Sequence, residues 1–181
     1  LSLHDALPIY NHFDVNSAYL SKVGDDQLSE EMLQFMSDNR VDIKYVKKVT
    51  GSTTGLYLIS LVNGERTFSY WRNNSAAKLL AQTPNDLENA MKEQDIIYYS
   101  GITLAILDAT SRENLFSSLK LARHAGTKIA FDPNIRPKLW TDRNEMCEVI
   151  MAGANLSDII LPSFEDEAVW FSDADPNSTL D

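Results

Sequence analysis

A single cysteine, Cys147, stands in this 181-residue chain, so no disulfide can close within it, and a reducing, cytoplasmic setting is the expectation. In a helix-forming stretch its ordinary role is that of a small buried apolar side chain. Positive charge is scarce as well. Lys and Arg number 16 against 26 Asp and Glu, a formal net charge of −10. With no basic cluster, nucleic acid and anionic membrane surfaces are excluded as partners, and an anionic ligand has to be met by individual side chains. No apolar run reaches the roughly 18 residues that a membrane-spanning helix requires. The N-terminal stretch lacks the basic flank of a secretory signal, so the triplets beginning at Asn73, Asn155 and Asn177 carry no weight as glycan acceptors. What is present, 44% apolar and 23% charged residues, is the composition of one globular domain or of part of a larger one.

The first nine residues, "LSLHDALPI", match the translation of CTT TCC CTA CAC GAC GCT CTT CCG ATC, a stretch of a widely used sequencing adapter. The adapter's next base, T, also opens a Tyr codon, and Tyr10 follows. Residues 1–9 are therefore expected to be foreign to the fold, His4 and Asp5 included, and both ends of the chain are expected to be cut within a longer gene.

"VNSAYLSKVG" reads as a strand and its exit, and "QLSEEMLQFMSDNR" carries Leu28, Met32, Phe35 and Met36 at helical spacing, with Asn39 as a C-terminal cap. From Val41 to Arg72 the residues are β-branched and aromatic, and "NGE" at Asn63 to Glu65 is a hairpin signal, which predicts a small antiparallel unit. After a helix-like "SAAKLLAQ", strands "DIIYYSGI", "KIAFD" and "DIILP" alternate with helices. That alternation predicts a parallel, doubly wound α/β sheet. Thr110 and Glu113 have capping-box spacing, Gly126 sits where a left-handed cap belongs, and Thr141 opens the next helix. His124 in the last turn is a cation-capable residue near a helix C-terminus rather than a catalyst.

The run "FDPNIRPKLW", Phe131 to Trp140, leaves the carboxyl end of a central parallel strand, where open α/β sheets bind ligands. Pro133 and Pro137 restrict the backbone on both sides of Arg136, and Trp140 can pin the loop down, so the guanidinium is presented at reduced entropic cost. A fixed Arg suits a carboxylate or phosphate. In "YWRN", Tyr70 and Arg72 share one face of a strand and Trp71 takes the other. That pair suits a lid over a polar anion, or else a plain solvated strand. "GSTTG" at Gly51 to Gly55 lacks the lysine and the length of a phosphate loop and reads as a turn.

Taken together and in order, "GLYLI", "GERTFSYWRNNSAAKLL", "YYSGITLAIL", "SRENL" and "FDPNIRPKLW" resemble the ribokinase-like (PfkB) sugar kinases, and among them the 2-keto-3-deoxygluconate kinases. The likeness runs from about Tyr10 to Phe171, so motif positions carry over residue by residue. It implies a partial ribokinase-like, Rossmann-like core with a small antiparallel β lid: residues 10–40 opening the core, 41–75 the lid, and 76–181 the core again, short of the ATP-binding half. It implies transfer of the ATP γ-phosphate, with Mg2+, to the primary hydroxyl of a six-carbon keto sugar acid. It further implies substrate contacts from Tyr57, Tyr70, Arg72, Ile102 and Arg136, with Arg72 and Arg136 matched to the carboxylate. Asp132 and Asn134 belong to the same motif, with loop-shaping roles through Asx-type bonds. A homo-oligomer through the lid is also left open.

The departures bear on activity. The family's N-terminal glycine-rich segment and its Gly-Ala-Gly-Asp motif, which holds the catalytic base, do not occur in this chain. The N-x-x-E stretch associated with magnesium is altered to Ser163 to Asp166 in "LPSFEDEA". The 181 residues alone are therefore expected to be inactive and to expose an apolar sheet edge. Three readings stand: a 2-keto-3-deoxygluconate kinase, another sugar kinase of the family such as a fructokinase, and a non-catalytic sugar-acid binding or lid-dimerisation module.

Overall fold

The computed structural model describes residues 15–62 and 64–179. The adapter-like residues 1–9, Tyr10 and Asn63 lie outside them. The chain divides after Leu80 into two units.

In the first unit, β1 (Ser21–Val23) is followed by α1 (Gln27–Asp38) and β2 (Val46–Lys48). Asp26 caps α1 by accepting the Ser29 N–H at 2.8 Å, and its other oxygen accepts the Thr54 N–H at 3.3 Å. The bond to Ser29 is the main reason its carboxyl lies below the ordinary range. Asn39 closes the helix as expected, its side-chain amide donating to the Phe35 carbonyl at 2.8 Å. The buried face of α1 is Ser29, Leu33 and Met36, whereas Leu28 and Phe35 are exposed. Of the residues at helical spacing, Met36 joins Val41 in a small buried cluster and Met32 packs against it.

β2 pairs in parallel with β1, Ser21 opposite Val46. The antiparallel unit expected over Val41 to Arg72 is thus confined to β3 (Leu56–Val62) and β4 (Glu65–Trp71), a hairpin in register from Leu56↔Trp71 to Val62↔Glu65. Gly64, with φ of +84°, turns it. "SAAKLLAQ" yields only a 3₁₀ turn, Ala76–Leu79.

The second unit opens with a helix that apolar spacing did not reveal, α2 (Pro84–Met91), whose signal is a proline in its first turn after Thr83. The expected alternation follows: β5 (Ile96–Ser100), α3 (Gly101–Ile106), α4 (Ala109–His124), β6 (Lys128–Asp132), α5 (Arg143–Leu156), β7 (Ile159–Ile160) and α6 (Phe164–Trp170). The three strands form one parallel sheet ordered β5-β6-β7. Both longer helices start one or two residues away from the expected caps. Asp108, not Thr110, caps α4 through the Ser111 N–H, and Asp142, not Thr141, caps α5 through the Glu145 N–H. A carboxylate outcompetes a hydroxyl for those amides because charge at a helix N-terminus is favoured. Gly126 takes the left-handed cap, φ +105°. His124 is exposed and meets the Lys120 carbonyl.

Side chains recurring every three or four residues, Leu115, Leu119 and Ala122 on α4 and Met146, Ile150 and Gly153 on α5, are buried. Both helices contact β6, and α2 packs on α4. On the strands the same alternation sends Tyr99 and Phe131 to one face, their ring centroids 4.8 Å apart. The absence of a side chain at Gly153 lets α5 press onto Phe131, since a Cβ there would lie 3.0 Å from Phe131 Cζ. At the sheet's rim Ile159 and Ile160 are exposed, the apolar edge foreseen above.

Tyr99 is the polar tie in this layer. Its hydroxyl donates to the Gly153 carbonyl at 3.0 Å, and burial pushes its pKa from 10.0 up to about 12. A raised pKa contributes stability that is complete below pH 10 and is lost as pH rises towards 12. Tyr99→Phe is expected to lose about 1 to 2 kcal/mol at neutral pH. Chemical denaturation of both proteins across the alkaline range checks this: the gap should close as pH approaches 12, and a gap independent of pH would contradict it.

Candidate functional site

In the second unit the carboxyl ends of β5 and β6 lie side by side, Ser100 opposite Asp132. Tyr98, Ser100, Ala130 and Asp132 share the face opposite Tyr99 and Phe131. Across it the Tyr98 hydroxyl donates to Asp132 Oδ2 at 2.9 Å. Asp132 is therefore engaged by a neighbouring strand. The backbone then makes a sharp departure: Asn134 sits at φ +35°, a region that short polar side chains tolerate better than most.

Two contacts set the shape of the loop that follows. Gly101, the first residue of α3, lies so near the loop that a Cβ built on it would be 2.0 Å from the Pro133 carbonyl oxygen and 2.7 Å from Ile150 Cδ1. Only glycine allows that approach. Further along, Ile135 is buried at 2% exposure and holds the loop's underside. Arg136 itself is exposed, and its Nη1 donates to the Ile135 carbonyl at 2.9 Å. Among the described residues no carboxylate pairs with it. A short 3₁₀ turn, Pro137–Leu139, leads to Trp140. Ile102 stands half-buried in the first turn of α3 beside Gly101, in a helix rather than at the strand end where it was placed from sequence.

In the first unit the hairpin register sets Tyr57 opposite Tyr70, with ring centroids 6.3 Å apart. Phe68 stacks on Tyr70 at 6.1 Å. Arg72, one residue beyond β4, folds back so that its guanidinium carbon lies 4.6 Å from the Tyr70 ring centroid and 5.7 Å from that of Tyr57. Tyr57 is 46% and Tyr70 55% exposed, and Arg72 is half-buried. The strand spacing thus put Tyr70 and Arg72 on one side correctly. Cation–π contact holds Arg72 without neutralising it, so it remains able to pair with an anion. Among the described residues no carboxylate does so.

With this geometry in place, the sequence profile of the pfkB family carbohydrate kinases matches residues 9–181. The chain belongs to that family. It is 36% identical over 171 residues to 2-dehydro-3-deoxygluconokinase of Haemophilus influenzae, covering 93% of this chain and 54% of that protein. It is 32% identical over 158 residues to a probable chloroplastic fructokinase-6 of Arabidopsis thaliana, covering 87% and 40%. The fold is that of a PfkB protein from Polaromonas sp. JS666, with a TM-score of 0.87 at 24% identity over 97% of this chain and 58% of that one. A sugar kinase from Pyrococcus horikoshii solved in complex with ATP superposes with a TM-score of 0.79 at 26% identity, over 93% and 54%. This pfkB chain spans about half the length of the curated relatives it matches. The parallel α/β core and the small antiparallel sheet are the ribokinase-like architecture expected from its sequence.

Among the described residues no three His, Cys, Asp or Glu side chains gather into a metal-holding cluster. In the altered stretch, Ser163 Oγ donates to Glu165 Oε2 at 2.9 Å. The buried acid is Glu167, whose pKa is raised by desolvation and then by Asp173 and Asp166. Cys147 is half-buried, its thiol 3.7 Å from the Trp170 carbonyl.

Sequence reasoning missed Gly101 and Tyr98. The signal for Gly101 was the Ser-Gly break between a strand and a helix, where a close backbone approach is common. Gly101→Ala is expected to destabilise the second unit by about 1 to 3 kcal/mol, the scale of overpacking against backbone. Gly55→Ala, whose Cβ first meets Ser75 Oγ at 3.3 Å, serves as the mild control. Urea midpoints that shift equally for both variants would contradict the close-approach argument.

Proposed function

We propose that the complete protein containing this chain phosphorylates 2-keto-3-deoxygluconate, the substrate for which its Haemophilus relative is named, at the primary hydroxyl, with ATP as phosphoryl donor. The observation that carries the reading is Arg136, exposed between two prolines and without a carboxylate partner among the described residues. A carboxylate-bearing sugar uses both Arg136 and Arg72, whereas a neutral sugar would not need both. On this reading Tyr57, Tyr70, Arg72, Ile102 and Arg136 contact the sugar acid, and Arg72 and Arg136 answer its carboxylate. Asp132 and Asn134 hold the loop's shape.

Charge-assisted bonds to the carboxylate fix the end of the sugar remote from the reacting hydroxyl. Because the loop is already shaped by Gly101, Ile135 and the prolines, little ordering is left to be done on binding, and the hydroxyl is delivered within a narrow range of positions. Phosphoryl transfer needs that positioning together with charge stabilisation and a base. ATP is inferred from the ATP-bound relative, and Mg2+ from the family. No residue of this chain is assigned to either, and the catalytic base is not assigned among these 181 residues. A cytoplasmic location and a second copy docking through the exposed β3–β4 hairpin belong to the same reading.

The likeness to a fructokinase keeps a second reading in view, in which the acceptor is a neutral hexose. A comparison of substrates separates the two. In the full-length protein, Arg136→Ala should raise the KM for 2-keto-3-deoxygluconate by about ten- to a hundredfold, the equivalent of roughly 1.5 to 3 kcal/mol for a charged hydrogen bond. KM for ATP and the slow turnover of fructose should barely change. Arg136→Lys should also be impaired, since an ammonium lacks the planar fork. Equal losses on the sugar acid and on fructose would overturn the assignment of Arg136 to the carboxylate.

A further inference from the structure

Arg112 stands in the first turn of α4 and takes no part in the contacts assigned above. Its side chain is only 13% exposed, and its guanidinium is engaged in three directions. Nε donates to the Leu104 carbonyl of α3 at 2.8 Å. Nη1 donates to Glu145 Oε1, in the first turn of α5, at 2.6 Å. The guanidinium carbon lies 4.9 Å from the centroid of the Trp140 ring. Trp140 in turn ends the loop that carries Arg136: its N–H donates to the Pro137 carbonyl, as the Leu139 N–H does to the Arg136 carbonyl.

These contacts differ in what they can do. The Leu104 carbonyl belongs to the last turn of a six-residue helix, where carbonyls lack intrahelical partners, so that bond completes α3. The pair with Glu145, itself 43% exposed, adds little stability on its own. The stacking on Trp140 completes no helix. It joins the loop's far end to α3, whose near end presses on the loop's start through Gly101 and Pro133. The loop is therefore held at both ends by one small helix, and Arg112 makes the second attachment.

We infer that Arg112 is a positioning residue for Arg136, fixing Trp140 and thereby the place at which the Arg136 guanidinium meets the carboxylate of the substrate. This rests on the carboxylate reading of Arg136, and the experiment separates the two. In the 181-residue chain, Arg112→Ala should speed hydrogen exchange at the Leu139 and Trp140 amides by about tenfold or more, since local opening sets that rate. Unchanged exchange overturns the inference. In the full-length protein, Arg112→Ala should raise the KM for 2-keto-3-deoxygluconate by about tenfold, with kcat and the KM for ATP within about twofold, as expected for a displaced binding group. Trp140→Leu, which leaves the ties to Leu104 and Glu145 intact, should do the same and stands in if Arg112→Ala fails to fold. Adding Arg112→Ala to Arg136→Ala should cost less than about twofold more, because a residue acting through another adds nothing once that other is gone. Additive losses, or a raised KM in Arg136→Ala beside an unaltered one in both Arg112→Ala and Trp140→Leu, overturn the role of Arg112 alone. An unaltered KM in Arg136→Ala overturns the carboxylate reading and this role with it.

Discussion

The contact on which the second unit's site depends is the approach of Gly101 to the Pro133 carbonyl. A methyl group there would sit 2.0 Å from a backbone oxygen, so the chain can leave β5 and β6 side by side only with hydrogen at that position. Everything downstream inherits the constraint. Pro133 is buried, Asn134 accepts a left-handed backbone, Ile135 plugs the core, and Arg136 emerges exposed. Two prolines then limit how far it can stray. An arginine on an unconstrained surface loop would lose considerable side-chain and backbone freedom on meeting a ligand; here much of that loss has already occurred on folding.

The first unit reaches a similar end by other means. Its hairpin has few buried side chains, and β4 is exposed along its whole length. Order comes instead from cross-strand pairing and from ring contacts among Tyr57, Phe68 and Tyr70, with Arg72 drawn back over two of the rings. The base of the hairpin is tied through the Gly51 to Gly55 turn, whose Gly51 and Thr54 amides donate to Asp25 and Asp26. Those acids therefore serve local structure, which suits a turn rather than a phosphate loop.

How much of this could be read from the sequence varied with the range of the interaction. The α/β alternation, the hairpin, the Asn39 and Gly126 caps and the common face of Tyr70 and Arg72 are set within a few residues, and they were legible. The parallel pairing of β2 with β1 was not, because β-rich composition says nothing about which strand is the neighbour. The buried face of α1 was not legible either, since a short amphipathic helix with Leu28, Met32, Leu33, Phe35 and Met36 offers two overlapping apolar stripes and only packing chooses between them. Arg112 lay in plain view within "SRENL". Nothing local tells that its partners are Leu104, Trp140 and Glu145, as many as 33 residues away.

On the proposed reading, Arg136 is held in advance for the carboxylate of a sugar acid. The most direct measurement is a crystal structure of the full-length protein with 2-keto-3-deoxygluconate bound. A carboxylate oxygen is expected within hydrogen-bonding distance, about 3 Å, of the Arg136 guanidinium, with the backbone from Asp132 to Trp140 unchanged from its unliganded course. A carboxylate turned away from Arg136 towards other groups, or a loop that rebuilds itself on binding, would contradict it.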